Sequence, residues 1–140
     1  YAYLDVNNDG IDELLIGEIA EGDLKGTVYD IYTMVDRKPV HVLSGSGRDR
    51  YYALEYGMLL NERSGGADDS EWLSFDIEPN TTNILPQLGV KMDGYEDKDN
   101  PWFVSYGDDE WESISEEEFE DYKSRFEYVR FDFTPLAKAS

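Results

Sequence analysis

Hydrophobic and polar positions alternate in short runs along this chain, separated by turn-forming clusters. Residues 71–78 (EWLSFDIE) are the clearest case. Leu73, Phe75 and Ile77 fall on one set, and Trp72, Ser74 and Asp76 on the other. This period of two predicts a strand with the Leu73 set toward the core. Residues 27–35 (TVYDIYTMV) are rich in β-branched and aromatic side chains and predict another strand. DRKP turns the chain back into VHVLS, residues 40–44, as a hairpin. Residues 1–4 and 13–19 read as strands on either side of an acidic loop. Residues 49–62 read as a hairpin turning near Tyr56 and Gly57, and RSGGADDS after it as a flexible loop. Pro86 demotes ILPQLGVKM to an edge strand or irregular segment. PWFVSY and WESI flank a GDDE turn, and VRFDFTPL, with Val129, Phe131 and Phe133 alternating, predicts a closing strand.

One segment switches period. Ser115 and Glu118 form an S-x-x-E capping box, with Glu116 and Glu117 in the first turn. Phe119, Tyr122 and Phe126 then recur on one helical face. The expected fold is α+β: a mostly antiparallel β-sheet of hairpins, with one late helix from about Glu116 to Glu127 packed on it. At 140 residues the chain fits one domain, 1–140, and no fixed-period repeat divides it. It begins inside a strand-like segment, so the expectation is the C-terminal part of a longer secreted precursor.

Charge narrows the partners. Acidic residues number 32 and basic residues 12, for a formal charge of −20. Such a chain repels phosphate backbones and anionic membranes, so nucleic acid is not an expected partner. Divalent cations are. Aromatics at 14% argue against a disordered acidic tail. With no cysteine, thiolate sites and disulfides drop out. No apolar run reaches membrane-spanning length, so no transmembrane segment is expected.

The acidic loop, DVNNDGIDELLIGE (residues 5–18), carries the most specific chemistry. Asp5, Asn7 and Asp9 stand two apart, and Gly10 permits the bend that turns them toward one centre. Calcium takes six to eight oxygens at about 2.3–2.6 Å. The expected ligands are the side chains of Asp5, Asn7 and Asp9, the backbone carbonyl of Ile11, and the carboxylate of Glu13. Asn8 and Asp12 are expected to point outward. An EF-hand would place a bidentate glutamate at the twelfth position, where this chain has Ile16 inside an apolar run. The loop is therefore expected between strands rather than helices. An ordinary Asn-Asp-Gly turn is the competing reading.

Residues 5–17 closely resemble the calcium loop of FG-GAP/VCBS-type repeats. Asp5, Asn7, Asp9, Ile11 and Glu13 match that family's ligand positions one by one. The match covers about a tenth of the chain, and a propeller needs many copies where this chain has one, so the propeller fold is not implied. More broadly, the order of the opening loop, RYYALEYGMLLNERSGGADDS, ISEEEFEDY and FTPL looks like uncharacterised domains in secreted lipoproteins of Gram-positive gut bacteria. That resemblance implies a secreted or cell-surface location and assigns no activity.

Other groupings carry less. DGYEDKDN (Asp93, Asp97, Asp99, Asn100) lacks the glycine and reads as a solvated loop. His41, the single histidine, has no serine or acid at a matching spacing, and no G-x-S-x-G is present. No catalytic residue is assigned. Trp72, Trp102, Trp111, Tyr51 and Tyr52 could form a carbohydrate-stacking platform, although aromatic residues on strands more often fill a core. The resulting expectation is a non-enzymatic extracellular domain with one structural calcium ion. A carbohydrate- or cell-wall-binding module is the alternative, with a surface glycan or protein as partner. A carboxylate-dependent hydrolase comes third, and the oligomeric state stays open.

Overall fold

The computed structural model describes residues 1–6, 9–46, 49–55, 57–66, 69–94, 96–108 and 110–135. It is mostly antiparallel β-sheet with a single short helix. The strands are β1 (Ala2–Leu4), β2 (Glu13–Gly17), β3 (Val28–Val35), β4 (Lys38–Ser44), β5 (Asp49–Leu54) and β6 (Met58–Gly66). They continue with β7 (Asp69–Ile77), β8 (Ile84–Asp93), β9 (Trp102–Ser105) and β10 (Glu112–Ser113). The helix is α1 (Glu116–Ser124), and a 3₁₀ turn spans Gly22–Leu24. The sheet runs β1-β2-β3-β5-β6-β7-β8-β9-β10, with β4 also on β3.

The hairpins follow from local chemistry. Val35 pairs with Lys38, leaving Asp36 and Arg37 as a two-residue turn with φ of 51° and 67°. Both central residues at positive φ make this a twist-matched hairpin turn. The Asn80 side chain supports it by accepting the Asp36 N–H at 2.8 Å. β3 is the junction of the sheet. One edge pairs with β2; the other pairs first with β5, at Val28 and Tyr51, and then with β4.

Two apolar clusters form, one on each face. In-register positions Ala53, Leu59 and Phe75 share the first face. They bury together with Leu15, Ile31 and Ile77. Trp72, Val90 and Val104 share the second face, which α1 covers by inserting Phe119. Phe119 is 2% exposed and stacks within 4.8 Å of Trp102 and 5.7 Å of Trp72, ring centroid to centroid. The predicted capping box is complete: the Ser115 hydroxyl accepts the Glu118 N–H at 3.1 Å, and the Glu118 carboxylate accepts the Ser115 N–H at 3.2 Å.

The structure refines or corrects the sequence expectations in four places. The helix ends at Ser124 rather than Glu127. Arg125 and Phe126 close it with tighter turns onto Tyr122 and Lys123. The Glu127 carbonyl instead accepts from Glu55 N–H on the β5 side. The described residues of RSGGADDS are strand, because β6 and β7 extend their ladder through Ser64–Ser70 and Gly66–Asp69. Pro86 is accommodated within β8, where β7 pairs at Phe75 and the β9 ladder begins only at Gly89. One side of β8 is free of ladder bonds there, so the missing N–H costs nothing. Among the described residues the closing segment forms no ladder strand: Tyr128 bridges Leu54, the Val129 N–H donates to the Ala53 carbonyl, and Thr134 exchanges backbone hydrogen bonds with Tyr1. The alternation still holds in packing. Val129 and Phe131 lean on the first cluster and Phe133 is buried in it, while Arg130 and Asp132 are exposed.

Candidate metal centre

The acidic loop joins β1 to β2, which pair antiparallel from Ala2–Leu15 to Leu4–Glu13. The loop is therefore held between strands at both ends. Asp5 sits just past β1, and Glu13 is the first residue of β2. Oxygens from Asp5, Asp9 and Glu13 all lie within 4.8 Å of one another. Two oxygens on one calcium ion can be no further apart than about 5 Å, twice the Ca–O bond length. The three carboxylates fit one such shell. Asn7 lies outside the described residues. Ile11 is at the loop surface with its side chain 54% exposed, and Asp12 is exposed as expected.

Backbone donors shape the loop. Asp5 accepts from Gly10 N–H at 2.8 Å and from Asp9 N–H at 3.2 Å. Asp9 accepts from Ile11 N–H at 2.8 Å, a local Asx turn. Gly10 has φ of +84°, the left-handed conformation that the motif's glycine supplies. These bonds turn Asp5 and Asp9 inward and leave further lone pairs on their oxygens.

Glu13 is the unusual member. It is 1% exposed, beside Leu15 in the first core cluster. One oxygen accepts the Val6 N–H at 2.9 Å, and the other accepts the Thr33 hydroxyl of β3 at 3.3 Å. Burial pushes its carboxyl from 4.5 up to about 7, and the charges of Asp9 and Asp5 push the same way. The Val6 and Thr33 hydrogen bonds oppose that rise without cancelling it. Among the described residues, no Lys, Arg or His forms an ion pair with any of the three carboxylates.

Two contributors escape a motif reading. Thr33 lies twenty residues from Glu13 and meets it only through the β2–β3 register. Asp76 on β7 feels the charge of Asp9, and burial and that charge both raise its carboxyl above the ordinary range. Neither has a sequence signal beyond a polar residue inside an apolar strand.

The remaining candidate groups are accounted for by ordinary contacts. His41 does find partners, across the β3–β4 hairpin. Its Nε2 lies 3.1 Å from Asp30 and 2.9 Å from the Ser44 hydroxyl, and Ser44 donates to Asp30 at 2.6 Å. Serine and acid share one ring nitrogen, so this is a closed triangle rather than a serine–histidine–acid relay. Trp72 lies under the Lys123 ammonium at 4.4 Å and donates to Glu62. Trp111 holds Lys91 at 4.5 Å, Trp102 packs on Phe119, and Tyr52 is 1% exposed. Asp97 accepts the N–H groups of Asp99 and Asn100, a self-contained turn.

No helix among the described residues is long and apolar enough to cross a membrane. No protein-family model, curated protein or solved structure matches the chain.

Proposed function

We propose that this chain is an extracellular, non-enzymatic α+β domain whose opening loop binds one structural calcium ion. The observation that carries the reading is the convergence of Asp5, Asp9 and Glu13 within 4.8 Å, with no cationic side chain paired to them among the described residues. Asn7 and the Ile11 carbonyl complete the ligand set. Three close carboxylates repel one another, and one of them is held out of water. A divalent cation converts that cost into stabilisation. Oxygen-only donors suit calcium or magnesium, and a ligand set supplied mostly by the protein suits calcium, because magnesium usually keeps several waters. A catalytic acid must touch its substrate, whereas Glu13 is 1% exposed with both oxygens engaged, so a structural role fits it better. The resemblance to lipoprotein domains supports a cell-surface or secreted setting, where calcium is plentiful.

The test is a thermal melt with calcium and with chelator, alongside metal analysis of the purified protein. Calcium at a hundred times its dissociation constant adds about 2.7 kcal/mol. Asp9→Ala should remove the shift. Equal melting temperatures in calcium and chelator, with no calcium retained, would overturn the reading.

A further inference from the structure

The second face of the sheet is only partly covered. Helix α1 lies over β8 and β9, and the chain then turns at Arg125 toward β5, where Tyr128 bridges Leu54. Between that turn and the sheet lies a cleft of about 410 Å³. Leu54, Met58, Leu88 and Phe126 contribute its apolar walls, and Glu55 and Glu127 stand beside them. The volume is at the small end of the range for ligand sites, about 300–1,000 Å³. It takes one or two side chains rather than a large cofactor.

The polar groups around the cleft divide into two kinds. Most are already satisfied: the Ser74 hydroxyl donates to the Leu88 carbonyl, Tyr106 pairs with Tyr122 through their hydroxyls, and Arg125 is bound to Asp121. The carboxylates are different. Among the described residues, neither Glu55 nor Glu127 forms an ion pair. Past Arg125, which lines both hollows, a second hollow is bordered by Glu117, Glu118 and Asp121. An apolar pit thus opens beside five carboxylates, of which only Asp121 is ion-paired, to Arg125, on a chain of net charge −20. Such a field attracts cations and repels anionic ligands.

We propose that this cleft docks a basic peptide segment, with one apolar side chain in the pit and flanking lysines or arginines on the carboxylates. The apolar anchor supplies affinity, and the charges supply encounter rate and register.

The probe is a labelled peptide with one phenylalanine between two pairs of lysines, followed by fluorescence anisotropy in calcium-containing buffer. Controls replace the phenylalanine by glycine, or the lysines by glutamates. The phenylalanine peptide should bind about tenfold more tightly than the glycine peptide. It should weaken at high salt, and the glutamate peptide should not bind. Met58→Asp should abolish the preference for phenylalanine. The exposed double change Glu55→Lys with Glu117→Lys leaves the core and the Arg125–Asp121 pair untouched and should remove most of the salt dependence. Amide shifts on peptide addition should map to Leu88, Phe126 and their neighbours. Equal binding of the phenylalanine and glycine peptides, or shifts mapping to another face, would overturn the proposal.

Discussion

The Glu13 carboxylate accepts the Val6 N–H at 2.9 Å, so the first residue of β2 is tied to the chain two residues past the end of β1. This bond closes the loop from Val6 to Glu13 and brings a carboxylate that is 1% exposed within reach of Asp5 and Asp9. The expected behaviour of the loop follows from that burial.

Without metal, the fold should lose stability as pH rises. Glu13 titrates at 4.5 when unfolded and at about 7 when folded. Between those values the native state holds a proton that the unfolded state has lost, so raising the pH favours unfolding. The loss develops from about pH 4.5 to 7 and amounts to about 3 kcal/mol. Glu13→Gln should flatten this part of the profile. Chelator-treated protein melted across that window provides the measurement, and a parental profile that rises with pH would contradict the assignment.

Calcium uptake should release protons. At about pH 6 the metal-free Glu13 is mostly protonated, and a carboxylate must lose its proton to serve as a ligand. Calorimetric titrations in two buffers of different ionisation enthalpy should give close to one proton per ion at that pH. The count should fall toward zero above about pH 8.

Thr33→Val should weaken the ion site while preserving the sheet. Thr33 is 3% exposed, and its hydroxyl donates to Glu13 at 3.3 Å. Valine keeps the shape and the strand preference but leaves one Glu13 oxygen without its donor. Glu13 should titrate higher still. Calcium affinity near neutral pH should drop several-fold, for about 1 kcal/mol.

Gly17→Ala should destabilise the fold with or without calcium. A β-carbon there would strike the Thr27 carbonyl and the ring of Phe133. Gly17 also follows the register shift between β2 and β3. Overpacking of this kind costs about 1–3 kcal/mol, visible as a lower denaturant midpoint in both conditions.

The elements of this fold were legible wherever the chain states them locally. The Ser115 capping box marked the start of α1, and the alternation through Phe75 and Ile77 marked β7. Asp5, Asp9 and Glu13 are brought together as their spacing suggests. What escaped were effects of pairing between distant segments. Glu127 and Val129 are drawn out of helix and strand patterns by β5, an influence no window around them contains. The run from Ser64 to Ser70 looks like loop because its glycines and aspartates disfavour strands, yet the β6–β7 ladder reaches Gly66 and Asp69 within it. Thr33 reaches the site through the β2–β3 register, and Asp76 feels it through the charge of Asp9, from a strand that pairs with neither loop strand.

The burial of Phe133 among residues near the other end of the described chain also sets an order of events. Phe133 shares the first cluster with Val6 and Leu15 and lies against Gly17, more than a hundred residues earlier. As the chain emerges during synthesis, the loop strands can pair, but their core stays open until this aromatic ring arrives. Closure over so long a separation is slow, in the millisecond-to-second class of sheet proteins. The core beneath the loop strands therefore gains this ring only after every described strand of the sheet has been made.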